Sequence, residues 1–324
     1  MAAFGLARDA KPDPHLHRVN FTIELGRKGF VDMVRVQTIE EDSWQAVYSD
    51  RQQEEATREI ENGGLVFFPR LAFTLSEAEK RFLVPDAVGQ KVKNVSFDIR
   101  NGTLRGSALE GADAAALRAM LDRYARQALA LVRSLLPHYA PTLEQARTSY
   151  RPVEAAGRTT SWRKDDTRLH VDAFPSSPNQ GQRLLRVFSN INPAGKDRVW
   201  NIGEPFEAVA QRFLPSIAAS SPGYARVLRA LGITKSLRTE YDHIMLQMHD
   251  RMKADKNYQA TAASAQLRMP PGSTWIVYTD SVSHAALSGQ FMMEQTFLLR
   301  PAAMLDPSVS PLRILERMVG RALA

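Results

Sequence analysis

Segment 269–299 leaves the chain few folds to choose from. Met269-Pro-Pro-Gly-Ser273 reads as a tight turn, Thr274-Trp-Ile-Val-Tyr278 as an apolar, aromatic and β-branched strand, and Phe291-Met-Met-Glu-Gln-Thr-Phe-Leu-Leu299 as a second strand beyond Ser288 and Gly289. Between them, Thr279-Asp-Ser-Val-Ser283 is a short connection to His284, so the pair forms a hairpin presenting His284 from its loop. Far upstream, Thr167-Arg-Leu-His-Val-Asp172 alternates like a strand until Pro175, Pro178, Asn179 and Gly181 break it. Side chains on a strand alternate faces, so His170 and Asp172 at i and i+2 point the same way. Two imidazoles and one carboxylate at strand ends beside loops, the place of a barrel mouth, could serve a single metal ion.

The rest of the chain fits a strand-rich core with helical additions. Residues 1–40 are a basic leader bearing His15 and His17, with a strand pair expected within it. Ser49 to Asn62 reads as a helix stopped by Gly63 and Gly64, and Leu65-Val-Phe-Phe68 as a strand halted by Pro69. Ser76 and Glu79 form a capping box for a further helix. Leu117, Met120, Leu121, Tyr124, Leu129, Val132 and Leu136 follow helical spacing over Asp113 to Leu136, and Pro137 ends that helix. Strands are expected from about 148 to 200, two helices near 205–217 and 222–231, and strands again from about 238. The domain reading is one unit over 41–303, with a core at about 148–303, a helical insertion at about 205–232, and a C-terminal amphipathic helix in 304–324. The fold class is mainly β: a double-stranded β-helix, or cupin-like jelly roll, buttressed by N-terminal helices.

His170-x-Asp172 with distal His284 is the ligand set of a non-haem Fe(II) oxygenase, whose facial triad leaves coordination positions open on one side. With its flanks, the arrangement resembles the Fe(II)/2-oxoglutarate-dependent dioxygenases. Glu61-Asn-Gly-Gly-Leu-Val-Phe-Phe-Pro69, Trp162 to Asp172, Arg186-Val-Phe-Ser-Asn-Ile-Asn-Pro193 and Tyr241 to Asp250 narrow the likeness. Together they resemble the 3-deoxy-D-manno-oct-2-ulosonic acid (Kdo) hydroxylases, from about residue 40 to about 303. The resemblance implies Fe(II), 2-oxoglutarate and O2, hydroxylation of C3 of Kdo in the lipid A inner core to give D-glycero-D-talo-oct-2-ulosonic acid (Ko), and release of succinate and CO2.

It also assigns roles. The catalytic metal ligands are His170, Asp172 and His284. The far carboxylate of 2-oxoglutarate calls for a bidentate arginine. Arg186, inside the apolar strand after the iron pair, is the first candidate, and a carboxylate partner is expected for a cation buried there. Arg300, near the end of the last strand, is the second, and Arg151, for the cosubstrate or the substrate carboxylate, is the third. Arg163, Lys164 and Arg168 are candidates for the anionic groups of the substrate. His243 and His249, on an expected strand, would lie about 20 Å apart, too far to share a metal. They are read as structural or substrate-facing, with His249 a substrate candidate.

Composition constrains partners more than fold. The absence of Cys excludes a disulfide scaffold, a thiolate metal site and a cysteine nucleophile. A net charge of +7 favours an anionic partner, here a Kdo-containing lipid A precursor. Nucleic acid is not expected, for want of an aromatic-plus-basic motif. No apolar h-region opens the chain and no run reaches about 18 apolar residues, so a cytoplasmic enzyme is expected. In the tail, Leu312, Leu315, Met318, Val319 and Ala322 share a helical face while Arg313, Arg317 and Arg321 share another. That helix is expected either to lie on an anionic inner membrane or to pack on the barrel. Two other functions stay open on sequence alone: the same iron chemistry on a protein side chain or nucleic acid, and a non-catalytic cupin-like metal-binding module.

Overall fold

The computed structural model describes residues 24–26, 34–89, 92–158, 160–221 and 223–324. In chain order its main elements are β1 (Glu24–Gly26), β2 (Val36–Thr38), α1 (Asp50–Glu61), β3 (Leu65–Phe68), β4 (Val95–Asp98), β5 (Thr103–Arg105), α2 (Gly111–Leu135), β6 (Glu144–Arg151) and β7 (Arg183–Asn190). There follow β8 (Arg198–Ile202), α3 (Phe206–Phe213), α4 (Tyr224–Ala230), α5 (Glu240–Ala254), α6 (Lys256–Thr261), β9 (Ser264–Met269), β10 (Thr274–Tyr278), β11 (His284–Ser288), β12 (Met292–Leu299) and α7 (Pro311–Val319). His15 and His17 lie outside the described residues.

An eight-stranded sheet runs β2-β3-β10-β7-β12-β6-β4-β5, and a smaller one runs β9-β8-β11 with β1 added at its edge. The two sheets make the jelly roll, and the period-2 alternation of their strands explains its layering. From the large sheet Leu65, Phe67, Phe188, Trp275 and Val277 point inward to meet Trp200, Ile202, Leu267 and Ala286 of the small one. The alternate residues Val66, Phe68, Leu185, Val187, Ile276 and Phe297 point outward into a second core against α1 and α2. Both faces of the large sheet are therefore covered, which is why β3, β7 and β10 are buried at every position.

The two N-terminal helices form as their sequences dictate. Ser49 and Gln52 make a reciprocal capping box at α1. Along α2, Leu117, Met120, Leu121, Tyr124, Ala128, Leu131, Val132 and Leu135 are buried at helical spacing, and the Tyr124 hydroxyl donates to the Val187 carbonyl at 3.1 Å, pinning the helix to β7.

Four expectations change. β10 and β12 do not form the expected hairpin: β7 pairs between them, and His284 opens β11, which pairs with β8 in the small sheet. Where strands are expected to resume at about 238, α5 begins. Thr239 and Asp242 cap it reciprocally, and Tyr241, Ile244, Met245, Met248 and Met252 are buried at helical spacing. Thr167 to Asp172 is not a strand: His170 makes one isolated bridge, and the rest is held by loop contacts. Ser76 and Glu79 do bond reciprocally, yet only a 3-10 turn at Lys80–Phe82 follows, since Phe82 is drawn into the core and Pro85 closes the segment. The tail takes one of its two expected forms: α7 is capped by Ser310 and stopped by Gly320 at φ 75°. Its Leu312, Ile314 and Leu315, with Leu323, join the core formed by α3 and α5. Arg313 pairs with Glu316, Arg317 donates to the Ser308 carbonyl and Arg321 pairs with Glu240. The tail is thus a packing element whose apolar face is already covered. No described helix is long and apolar enough to cross a membrane.

Candidate metal centre

His170 and His284 face one another across the isolated bridge, the amide of each donating to the carbonyl of the other at 3.0 and 2.9 Å. The Asp172 amide donates to the Thr279 carbonyl at 2.8 Å. Three backbone bonds therefore bring together residues more than a hundred positions apart in sequence. The ligand atoms of His170, Asp172 and His284 all lie within 4.8 Å of one another.

Each imidazole is oriented by a carbonyl two residues before it. His170 Nδ1 lies 2.7 Å from the Arg168 carbonyl and His284 Nδ1 2.8 Å from that of Val282. A carbonyl only accepts, so Nδ1 carries the proton and Nε2 keeps its lone pair for a metal. Burial pushes both imidazoles below their ordinary pKa, further for His170 because His284 stands beside it, which favours the neutral ligating form. Burial alone would raise the Asp172 carboxyl, but the Arg186 guanidinium beside it outweighs that and holds Asp172 ionised well below the usual carboxylate range. The donor set fits a divalent iron: two neutral nitrogens and one carboxylate, buried, with one side open to a cavity.

That cavity has an aromatic floor and a cationic wall. Trp200 stacks on His284 with ring centroids 4.9 Å apart, and Phe188 meets Trp200 edge-on at 5.1 Å. Arg151, Arg186 and Arg198 line it together with Asp166 and Met292. Arg186 Nη1 sits 3.2 Å from Asp172 and 3.3 Å from Glu294, so the carboxylate partner expected for it is present twice over. Arg151 pairs with Glu294 at 2.5 Å. Arg198, by contrast, forms no ion pair among the described residues. It donates to the Gly289 carbonyl at 2.7 Å, while its Nε is buried without a partner. Burial, with Arg151 and Arg158 nearby, pushes its pKa down to about 10. A buried cation short of a counter-charge is a ready place for the far carboxylate of 2-oxoglutarate.

The structure sorts the other candidates. Arg300 is exposed at the end of β12, away from the cavity lining. Arg163 is exposed, pairs with Asp250 at 3.0 Å and stacks on Trp162. Lys164 is exposed, and its carbonyl accepts from Lys93. Arg168 bonds Asp165 and the Lys253 carbonyl. Arg163 and Arg168 tie the loop before His170 to α5, Lys164 joins it to the segment before β4, and none of the three lines the cavity. His249, placed by α5, meets the His170 ring edge-on at 5.3 Å and bonds Asp250 at 3.0 Å. His243 bonds the Ala218 carbonyl in the helical excursion and takes no part in the centre. Arg198, Trp200 and Asp166 were not singled out from sequence. The alternation Arg198-Val-Trp200-Asn-Ile202, with an arginine in phase with two buried apolar residues, was the signal for the first two.

A jelly roll with a buried His-Asp-His cluster opening on an arginine-lined cavity defines the non-haem Fe(II)/2-oxoglutarate-dependent dioxygenase class. Within it, the family of 3-deoxy-D-manno-oct-2-ulosonic acid (Kdo) hydroxylases matches residues 43–322, and the chain belongs to that family. Its structure is similar to that of the Kdo hydroxylase KdoO, a non-heme Fe(II) alphaketoglutarate dependent dioxygenase, in complex with alphaketoglutarate and Fe(III), at 46% identity and a TM-score of 0.86, covering 89% of this chain and 97% of that one. The cobalt(II) complex of KdoO, at 46% identity, and its apo form, also at 46%, match with TM-scores of 0.87 and 0.86 over the same shares. No curated protein matches the chain.

Proposed function

We infer that this protein is an Fe(II)- and 2-oxoglutarate-dependent dioxygenase that hydroxylates C3 of Kdo in a lipid A precursor, giving Ko, succinate and CO2. The observation that carries the reading is the buried His170, Asp172 and His284 cluster, with ligand atoms within 4.8 Å, in a chain that belongs to the Kdo hydroxylase family. Iron held by these residues, with 2-oxoglutarate and O2, supplies the oxidising power for C–H hydroxylation.

The chain's own residues bind, orient and exclude water. Arg186 fixes Asp172 against Glu294, so that the carboxylate keeps one geometry. Arg198 takes the far carboxylate of 2-oxoglutarate, relieving its buried, uncompensated charge. Arg186, the first candidate on sequence, orders the ligand instead. Phe188 and Trp200 keep that end of the cavity dry, which strengthens every charge contact inside it. Arg151, with a side chain 26% exposed, stands on the open side, where the Kdo carboxylate arrives. His249 forms the adjoining wall beside His170. The same reading places the enzyme in the cytoplasm, where a Kdo-bearing precursor of lipid A is within reach.

The test is incubation with Fe(II), 2-oxoglutarate, O2 and a Kdo-bearing lipid A precursor. The expected result is equimolar succinate and a Kdo heavier by one oxygen atom. Succinate without modified Kdo overturns the substrate; no succinate at all overturns the chemistry.

A further inference from the structure

Half of the large apolar side chains exposed among the described residues fall within one short stretch: Tyr224, Val227, Leu231, Ile233 and Leu237, between 46% and 68% exposed. Tyr224, Val227 and Leu231 stand at i, i+3 and i+7, one stripe of α4 and its C-cap, while Leu228, flanking that stripe on its inner side, is buried. Interleaved with them are Arg226, Arg229, Lys235 and Arg238, and between Glu207 and Glu240 the chain has no acidic residue. None of these four cations forms an ion pair among the described residues. Arg229 donates to the Lys235 carbonyl and Arg238 to that of Pro175, leaving their charges uncompensated. Contiguous apolar surface is rare on a soluble protein unless something covers it, and apolar tips set among uncompensated cations match the boundary between anionic headgroups and acyl chains.

We propose that α4 and the loop after it, residues 224–238, form a docking face for an anionic lipid bilayer. The apolar stripe enters the headgroup boundary and Arg226, Arg229 and Lys235 meet lipid phosphates. The tail helix α7 has the same basic amphipathic pattern but spends its apolar face on the core, so the free face belongs to α4. The docking face is tied to the loop that leaves the metal centre. The Lys235 amide donates to the Ser176 carbonyl at 3.0 Å, and the Gln180 side chain to the Leu237 carbonyl at 3.0 Å. These bonds fasten it to the loop that starts just after Asp172, where Phe174, 37% exposed, lies 5.5 Å beneath the Arg186 guanidinium. Resting on the Kdo reading, this seats the site beside the membrane that anchors the sugar.

The experiment is co-sedimentation of the full-length protein with vesicles of phosphatidylcholine, with and without phosphatidylglycerol. The wild type is expected to sediment with the anionic vesicles and weakly with the neutral ones. The triple variant Val227→Ser, Leu231→Ser, Ile233→Ser and the double variant Arg226→Glu, Arg229→Glu are each expected to reduce partitioning by about tenfold or more. Both should keep wild-type turnover on a soluble Kdo oligosaccharide. A Tyr224→Trp reporter should shift to the blue on binding and be quenched by brominated acyl chains. Wild-type protein that ignores anionic vesicles, variants that bind undiminished, or a reporter buried by self-association without vesicles each overturns the proposal. Normal docking with no turnover on any Kdo substrate sinks the catalytic reading and leaves the docking face standing.

Discussion

Leu185 and Val187 of β7 point into the core covered by α1 and α2, while Arg186 and Phe188, one residue out of step, point into the cavity. On β12, Met293 and Phe297 share the first environment, and Met292 and Glu294 the second. A single sheet thus has one face for stability and one for chemistry, and the alternation of side chains keeps them apart. On the helix-covered face a charge needs a buried partner of its own, as Arg183, in phase with Leu185 and Val187, has in Asp280 at 2.7 Å. Mutations on the two faces should therefore separate activity from stability.

The largest effects belong to the metal ligands. His170→Ala, Asp172→Ala and His284→Ala are each expected to lower turnover by roughly a thousandfold or more, since even losing a partner of a ligand costs up to about a hundredfold. Circular dichroism should show the jelly roll intact, and a variant with near-wild-type turnover at saturating Fe(II) removes its residue from the centre. Next comes Arg198→Ala, which is expected to raise the KM for 2-oxoglutarate by about a hundredfold, the order expected for a buried charge pair, with iron affinity unchanged. If Arg186→Ala does this instead, the two arginines exchange roles. On the dry face, Leu185→Ala should cost about 3 kcal/mol of unfolding free energy in urea and leave the KM for 2-oxoglutarate alone; a shifted KM would break the division between faces.

The smallest effect is one of pH. Burial depresses the folded pKa of His170 and His284, so as pH falls below about 6.5 protons load the unfolded chain first. The stability from these groups is full above that pH and shrinks below it. Melting of metal-free protein should show the decline, and His284→Gln should lessen its slope; an unchanged slope assigns the acid sensitivity elsewhere.

Much of this was legible in the chain. The strands β10 and β12, the His-x-Asp spacing, and α1 and α2 follow from local pattern, because each depends on residues close in sequence; the hairpin expected around His284 does not form, because β7 pairs between β10 and β12 and His284 opens β11 on the other sheet. The α5 helix was also written there, in Thr239 with Asp242 and in the spacing of Tyr241, Ile244, Met245, Met248 and Met252. Reading that stretch as a strand set His249 about 20 Å from His243 and gave it no neighbour at the metal, whereas the helix brings its ring to 5.3 Å from that of His170. Arg198 was hidden for another reason. What marks it is the lack of a counter-charge, which exists only once β8 has paired with β9 and β11 and the carboxylates have been shared among its neighbours. The tail was ambiguous because an apolar helical face looks the same whether it meets lipid or protein, and only the core around α3 and α5 decides.

The most direct test of the centre as a Kdo dioxygenase is turnover under 18O2 with a Kdo-bearing lipid A precursor. The account predicts one labelled oxygen in the new hydroxyl of the sugar and one in succinate for each turnover. Label confined to succinate, or a sugar hydroxyl whose oxygen comes from water, contradicts it.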